Sequence, residues 1–356
     1  MNELQTYMVH EYVADYKAGH LSRRDLLRRV LNITGGVCST ATLLLALGCS
    51  APTSAPAPAA TDKPATTVVV STGPSPSVGS SPAASPGSAA PKPSVITSAS
   101  PSASPVAGAR SPLSVPANDP NVDAQAIAFA GSDNATILAY QARPTSADGP
   151  LPLVLVCHEN RGLTEHIHDV VRRFTREGFM ACSVDLVSRQ GGTAAITDPN
   201  QFSALLTGPN VNPDQFVGDF AAAVALYKTR PNLVQADKIG MNGYCFGGGV
   251  VWRCTEQIPE LKAAAPFYGA FPPPEKWDQI KAAVLGVYSA DPNDFANARR
   301  DELDEALTAA GAMHKFNVYP GTMHAFHNDT GAAYNQQQAL AAWADMIAWF
   351  KQYLAT

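Results

Sequence analysis

The chain is short of the features that mark several common protein classes. Its 6 cysteines include no Cys-x-x-Cys pair, so the spacing of structural zinc sites and thioredoxin-like redox centres is absent. Basic residues form no run outside the N-terminal segment, and the net charge is -5, a balance that argues against nucleic acid as a partner. No stretch reaches the about 20 apolar residues of a membrane-spanning helix. The nearest candidate, Val30 to Gly48, is interrupted by Asn32, Thr34, Gly35 and Gly36. From Cys49 to Asn118 aromatic residues and charges almost vanish, leaving Ala, Pro, Ser, Thr, Gly and Val. That composition cannot bury enough apolar surface to offset the entropy of ordering. It reads as a disordered tether, which its prolines bias towards extended conformations. The remainder has the length of one large α/β domain. The expected division is therefore an N-terminal segment over 1–49, a tether over 50–118 and a folded, monomeric domain over 119–356.

The N-terminal segment reads as an address. Ser22-Arg23-Arg24-Asp25-Leu26-Leu27-Arg28 resembles a twin-arginine export signal, with Leu26 where an aromatic is preferred, and the moderately apolar stretch after it suits such a signal. Ala46-Leu47-Gly48-Cys49 resembles a lipobox, with Ala46 in place of the preferred Leu. Lipidation of Cys49 would anchor the chain on the outer side of the cytoplasmic membrane; simple cleavage or retention is the alternative. Export does not make disulfides the expectation. Cys157 and Cys182 fall in apolar strand-like runs and Cys254 in a helix, positions where cysteine behaves as a small hydrophobe.

Within the domain, Ala124–Phe129 and Ala135–Ala142 alternate apolar and polar residues around Gly131-Ser132-Asp133-Asn134, predicting an antiparallel hairpin at a sheet edge. Leu151–Cys157, Phe179–Leu186, Lys238–Met241, Ala263–Tyr268, Ala283–Ser289 and Lys315–Tyr319 read as strands, the longer apolar runs as strands buried on both faces. Helical spacing is expected over Leu163–Glu177, Phe216–Lys228, Asn297–Ala310 and Asn335–Leu354, the last with Trp343, Met346, Ile347 and Phe350 on one face. Strands alternating with helices predict a mostly parallel sheet covered on both sides, with chemistry at the carboxyl ends of the strands.

Gly243-Tyr244-Cys245-Phe246-Gly247 sits where a buried strand gives way to a helix. A Gly-x-nucleophile-x-Gly turn holds its central residue in a strained conformation while the glycines relieve crowding. The helix that follows directs its dipole and free N–H groups at the thiol, favouring a thiolate and later an oxyanion. Two further residues follow apolar runs in the order nucleophile, acid, histidine: Asp291 and His324. In such a trio the imidazole takes the thiol proton and the carboxylate orients the imidazole. Asp294 competes with Asp291, while His327 and His314 compete with His324. The cluster His158, Glu159, His166 and His168 lacks metal-site spacing, so no metal is expected.

Together with His158-Glu159-Asn160-x-Gly162-Leu163, Asp185-Leu186-x-x-Arg189-Gln190 and Met323-His324-x-Phe326, the cysteine turn resembles the dienelactone hydrolase family, from about Asp123 to the C-terminus. The resemblance implies an α/β-hydrolase fold, no cofactor, and hydrolysis of small carboxylic esters or lactones through a cysteine thioester. It assigns Cys245, His324 and Asp291 to a triad, and Glu159 to the resting thiol. It gives oxyanion contacts to the backbone N–H groups of Phe246 and Asn160, and the substrate's carboxylate to Arg189. Asn328 stands where the family has a second carboxylate-binding arginine, which opens the substrate class to neutral or differently shaped esters. The alternatives are a broader carboxylesterase or thioesterase, a non-catalytic envelope-binding lipoprotein, or a redox thiol cycling with Cys254.

Overall fold

Among the described residues nine strands form one sheet in the order β1-β2-β3-β5-β4-β6-β7-β8-β9. The structure is a computed structural model, and it describes residues 5, 8–10, 12, 13, 16, 21–34, 40, 94–95, 108–208, 210–270 and 276–354. The strands are β1 Ser94–Val95, β2 Val122–Ala130, β3 Thr136–Pro144, β4 Leu151–Cys157, β5 Met180–Val184, β6 Val234–Tyr244, β7 Leu261–Phe267, β8 Ala283–Ser289 and β9 His314–Tyr319. The hairpin expected at the edge is β2–β3, antiparallel and in register from Val122 opposite Pro144 to Ala130 opposite Thr136. Its turn closes with Gly131 N–H donating to Ala135 O at 2.8 Å, and Asn134 takes the left-handed conformation (φ 61°) that Asn tolerates better than most residues. Beyond β3 the strands pair in parallel from β5 through β4, β6, β7 and β8 to β9.

Helices cover both faces: α1 Arg23–Thr34, α2 Glu165–Arg176, α3 Gln201–Thr207, α4 Pro213–Lys228, α5 Phe246–Gln257, α6 Arg300–Ala309 and α7 Gln336–Leu354. Every residue of β5 and β8 is consequently buried, which is why these strands read as continuous apolar runs. The apolar stripe of α7 is the expected one, with Trp343, Met346, Ile347 and Phe350 all buried. α4 begins three residues before the periodic run at Phe216, because Asn212 accepts the Asp214 N–H and Pro213 occupies the first turn, a favourable start for a helix. The sequence reading had no counterpart to α3; at seven residues it is too short to show a helical period.

The packed body begins upstream of 119. Buried Asp329 accepts the N–H groups of Arg110 (3.1 Å) and Ser111 (2.9 Å). Buried Asp169 accepts Val115 N–H at 2.6 Å, and Arg172 donates to Val115 O at 2.7 Å. Arg173 joins the two aspartates, 2.5 Å from Asp169 and 3.0 Å from Asp329. Asp329 is held well below the usual carboxylate range: burial opposes ionisation, but His166, Arg173 and the Ser111 N–H outweigh it.

The N-terminal segment also packs on this body. Met8, Val9, Tyr12, Val13, Leu26, Val30 and Ile33 are buried in the same apolar cluster as the domain core. Arg29 donates to Asn200 Oδ1 at 3.1 Å, and the His10 ring lies 6.3 Å from Phe295. Among the described residues no helix is long and apolar enough to cross a membrane. Cys49, the candidate lipidation residue, lies outside the described residues.

Candidate active site

β6 delivers Cys245 to a sharp bend. The residue has φ 57° and ψ -123° and is the N-cap of α5, a conformation that costs a side-chain-bearing residue about 1–3 kcal/mol. Packing enforces it: Cys245 N–H donates to Phe267 O at 3.0 Å, and Cys245 O accepts from Gly248 N–H at 2.8 Å. A Cβ on Gly243 would fall 2.5 Å from Gly247 O, and one on Gly247 would fall 2.5 Å from the carbonyls of both Cys157 and His158. Only hydrogen fits at these two positions, so the first turn of α5 lies directly against the end of β4. That contact brings Asn160, two residues past His158, towards the start of α5 at Phe246. The two main chains named as oxyanion donors thus leave neighbouring strand ends.

Cys157, Cys182, Cys245 and Cys254 are all buried and in no disulfide, Cys245 keeping 2 % exposure and the others none. Burial pushes the Cys182 thiol up to about 12 and raises Cys157 and Cys254 further. Those three resist ionisation.

His324 follows the β9 turn, and its Nδ1 lies 3.0 Å from Oδ1 of Asp294. The expectation that Asp291 orients this histidine is corrected. Asp291 turns its carboxylate onto its own loop, accepting the Asn293 N–H at 2.8 Å and the Asn293 amide at 3.2 Å. The Asp294 side chain is fully buried, with Oδ2 accepting the Ser289 hydroxyl at 2.5 Å and Oδ1 the Ala296 N–H at 3.0 Å. Burial by itself would raise its pKa, but His324, Ser289 and Ala296 together hold it below the usual carboxylate value. The physical reason for the switch is the short 3-10 turn Phe295–Asn297, capped by Asp294 itself. It draws the later aspartate inward and leaves the earlier one at the rim.

Tyr268, just past β7, ties the cluster together and was not singled out by sequence. Its ring lies 5.0 Å from His324. Burial first, and then the neighbouring ionisable groups of Glu159, Tyr244 and Cys245, keep its phenol well above the ordinary tyrosine range. Its backbone has φ 36°, an outlier for a bulky residue. The only hint in the sequence was its position at the carboxyl end of an apolar run, which carries no information about φ.

Glu159 is buried, and its Oε2 accepts from Asn328 Nδ2 at 2.8 Å. The Asn328 amide is fixed from the other side, since its Oδ1 accepts the Thr330 N–H at 3.0 Å and the Thr330 hydroxyl at 2.7 Å. His158 is clamped as well. Its Nε2 accepts the Leu186 N–H at 3.1 Å, which makes Nδ1 the protonated nitrogen, donating to Glu159 O at 2.7 Å. Burial keeps this imidazole below its ordinary pKa, so it is a neutral brace between the loops after β4 and β5. The other histidines of that stretch go elsewhere, His166 to Asp329 and His168 to Glu165, each at 3.1 Å. Among the described residues no group of three or more His, Cys, Asp or Glu could hold a metal ion.

Arg189, expected to receive a substrate carboxylate, is engaged within the fold. Nη1 and Nη2 each donate to buried Asp219 at 2.8 Å, while Nε and Nη2 each donate to Asp133 at 2.9 Å. With its amide oxygen turned inward, Gln215 accepts the last Nη1 hydrogen at 2.9 Å. All five donors of the guanidinium are thereby taken, and Asp219 foremost holds its charge even more firmly than usual. The residue clasps the β2–β3 turn to α4.

Residues 137–354 match the family model described as the dienelactone hydrolase family. A protein of Escherichia coli (strain K12) named "putative carboxymethylenebutenolidase" is 34% identical over 230 residues, covering 60% of this chain and 82% of that protein. A protein of the same name from Methylorubrum extorquens is 35% identical over 227 residues, 61% of this chain and 77% of that one. Among solved structures, a "putative dienelactone hydrolase" from Klebsiella pneumoniae superposes with a TM-score of 0.60 at 32% identity, covering 65% of this chain and 99% of its own. The domain has the α/β-hydrolase fold, and the chain belongs to the dienelactone hydrolase family.

Proposed function

We propose that the chain hydrolyses small carboxylic esters or lactones through a thioester on Cys245, with His324 as base and Asp294 as its orienting carboxylate. The observation that carries this reading is the 3.0 Å contact between His324 and a buried aspartate, on the same strand ends as a cysteine in a forced backbone conformation. His324, assisted by Glu159, takes the thiol proton. The thiolate attacks the carbonyl carbon, and the electron pair displaced onto oxygen is held by the N–H groups of Phe246 and Asn160. Collapse of the adduct expels the alkoxide, which takes the proton from His324; in a lactone it stays tethered to the acyl group. Water, deprotonated by His324, then cleaves the thioester and restores the thiol. The same steps would serve a broader carboxylesterase or thioesterase. A redox pair with Cys254 finds less support, since that thiol is fully buried and burial opposes its ionisation.

The test is hydrolysis of 4-nitrophenyl esters together with intact-mass detection of an acyl adduct on Cys245. Loss of both in Cys245→Ala is expected. Turnover that survives the substitution would rule the mechanism out, and no turnover of any ester would favour a binding lipoprotein of the same fold.

Residues 1–49 we read as a twin-arginine export signal, with Cys49 lipidated and the domain held as a monomer on the outer side of the cytoplasmic membrane. Arg23 and Arg24 are exposed at the start of α1, a position from which a translocase could read them. Cell fractionation and the mass of the mature N-terminus, compared with Cys49→Ala, test this. A chain that keeps Met1 in the cytoplasm would refute it.

A further inference from the structure

We propose that this site takes esters whose acyl group is uncharged, and discriminates against those carrying a carboxylate; this rests on the ester-hydrolase reading above. The argument comes from where the charges stand. Arg189 is enclosed by Asp133 and Asp219, and with both ionised that group of three carries one net negative charge. To receive a substrate carboxylate, Arg189 would have to abandon Asp219, which is fully buried. A buried carboxylate left without its partner is strongly destabilising, which offsets what an ion pair with substrate would return. Around Tyr268, together with Cys245, stands Glu159, a third carboxyl group, and its partner Asn328 is a neutral donor already committed to it. Arg161, next to the oxyanion loop in sequence, is exposed, and a solvated guanidinium contributes little to an ion pair. A carboxylate on the acyl chain would therefore lose its hydration and meet carboxylates, whereas an alkyl chain loses nothing.

The experiment uses the full chain and two chemistries. The first compares kcat/KM for 4-nitrophenyl hexanoate with that for mono-4-nitrophenyl adipate, which is matched in chain length and differs in its terminal carboxylate. We expect the neutral ester to be favoured at least tenfold, and the gap to narrow in 0.5 M salt as like-charge repulsion is screened. The second compares alkylation of Cys245 by iodoacetamide and iodoacetate, located by peptide mass and normalised to the same pair of rates with glutathione. Iodoacetate is expected to be at least fivefold slower than that reference. This arm needs no turnover. Discrimination in alkylation without hydrolysis of either ester would sustain the charge argument and sink the hydrolase reading. Hydrolysis of both esters with equal efficiency, or iodoacetate at the glutathione ratio, would sink the charge argument alone.

Two variants sharpen the assignment. Asp133→Ala releases Nε and one Nη2 hydrogen of Arg189 while Asp219 still holds the residue. It should raise kcat/KM for the adipate ester at least threefold and leave the hexanoate ester within twofold. Arg189→Met, if it folds, turns one net negative charge into two and should lower kcat/KM for the adipate ester by no more than about threefold. A loss of tenfold or more confined to the adipate ester would show that Arg189 receives the carboxylate after all.

Discussion

His324 Nδ1 lies 3.0 Å from Asp294 Oδ1, while Asp291, at the rim of the same loop, spends its carboxylate on Asn293. Two aspartates of similar sequence context thus have different work, and substitution separates them. Asp294→Asn removes the charge that orients and stabilises the imidazolium and should lower kcat by about 10³- to 10⁴-fold, the scale known for the aspartate of a serine protease triad. Asp291→Asn should stay within about threefold, because the amide oxygen can still accept the Asn293 N–H. Steady-state kinetics on one nitrophenyl ester decide. Equal losses in both variants would mean that the loop, and not the carboxylate, is being read.

The forced backbone at Cys245 predicts an inversion of a common stability ranking. Glycine is usually less stable than alanine in ordered structure, by about 0.5–1 kcal/mol. At φ 57° and ψ -123° alanine keeps the strain and glycine releases it. Cys245→Gly should therefore exceed Cys245→Ala by about 1 kcal/mol in urea unfolding, with both expected to be inactive. The usual order, alanine above glycine, would show that the bend stores little energy.

Buried neutral histidines fix the sign of the acid response. His327 lies stacked on Tyr244 (4.9 Å between ring centres) and against Trp343 (6.0 Å). Burial first, then Arg173 and His166, push its pKa well below the ordinary value. Because the unfolded chain binds a proton there below pH about 6.5 and the folded chain does not, stability falls as pH drops through that value. Asp294 and Asp329, depressed in the fold, contribute above the ordinary carboxylate value near pH about 4 and lose that contribution below it. Urea midpoints should thus decline first between pH 7 and 5 and more steeply below 4. His327→Phe should remove up to about 1.4 kcal/mol per pH unit from the upper slope. An unchanged slope would mean that His327 titrates in the fold.

The N-terminal segment touches two sides of the site. Arg29 reaches Asn200 beside α3, and His10 meets Phe295, whose ring is 4.8 Å from His324. α3 follows β5 and Phe295 follows β8, so the described residues of the segment make contacts on both sides of β4, β6 and β7 in the strand order. Removal of residues 1–48 is expected to raise kcat/KM at least threefold for long-chain esters and to leave acetate esters unchanged. Equal rates for the full and shortened chains on every ester would show that the segment stands clear of substrate.

Much of this molecule was legible before any coordinates. The apolar runs that became β4, β5, β7 and β8 are mostly buried as expected, because a strand covered on both faces favours apolar residues at both parities. The glycines around Cys245 were legible for a related reason, since spacing along one turn fixes which atoms collide. Asn328 was noticed only as a departure from the family pattern; its bond to Glu159 joins residues 169 apart.

What the chain determined by itself is what its neighbours along the chain determine: strand and helix periods, the bend at Cys245, the order of nucleophile, acid and histidine. Tertiary structure decided which aspartate meets His324, and whether Arg189 is available. Asp133 and Asp219 lie 56 and 30 residues from that arginine, and nothing in the local pattern reveals that both close on it. Steric rules act over a few bonds and so can be read in order, whereas a charged side chain answers to whichever groups the fold places within about 3 Å, the range over which hydrogen bonds form.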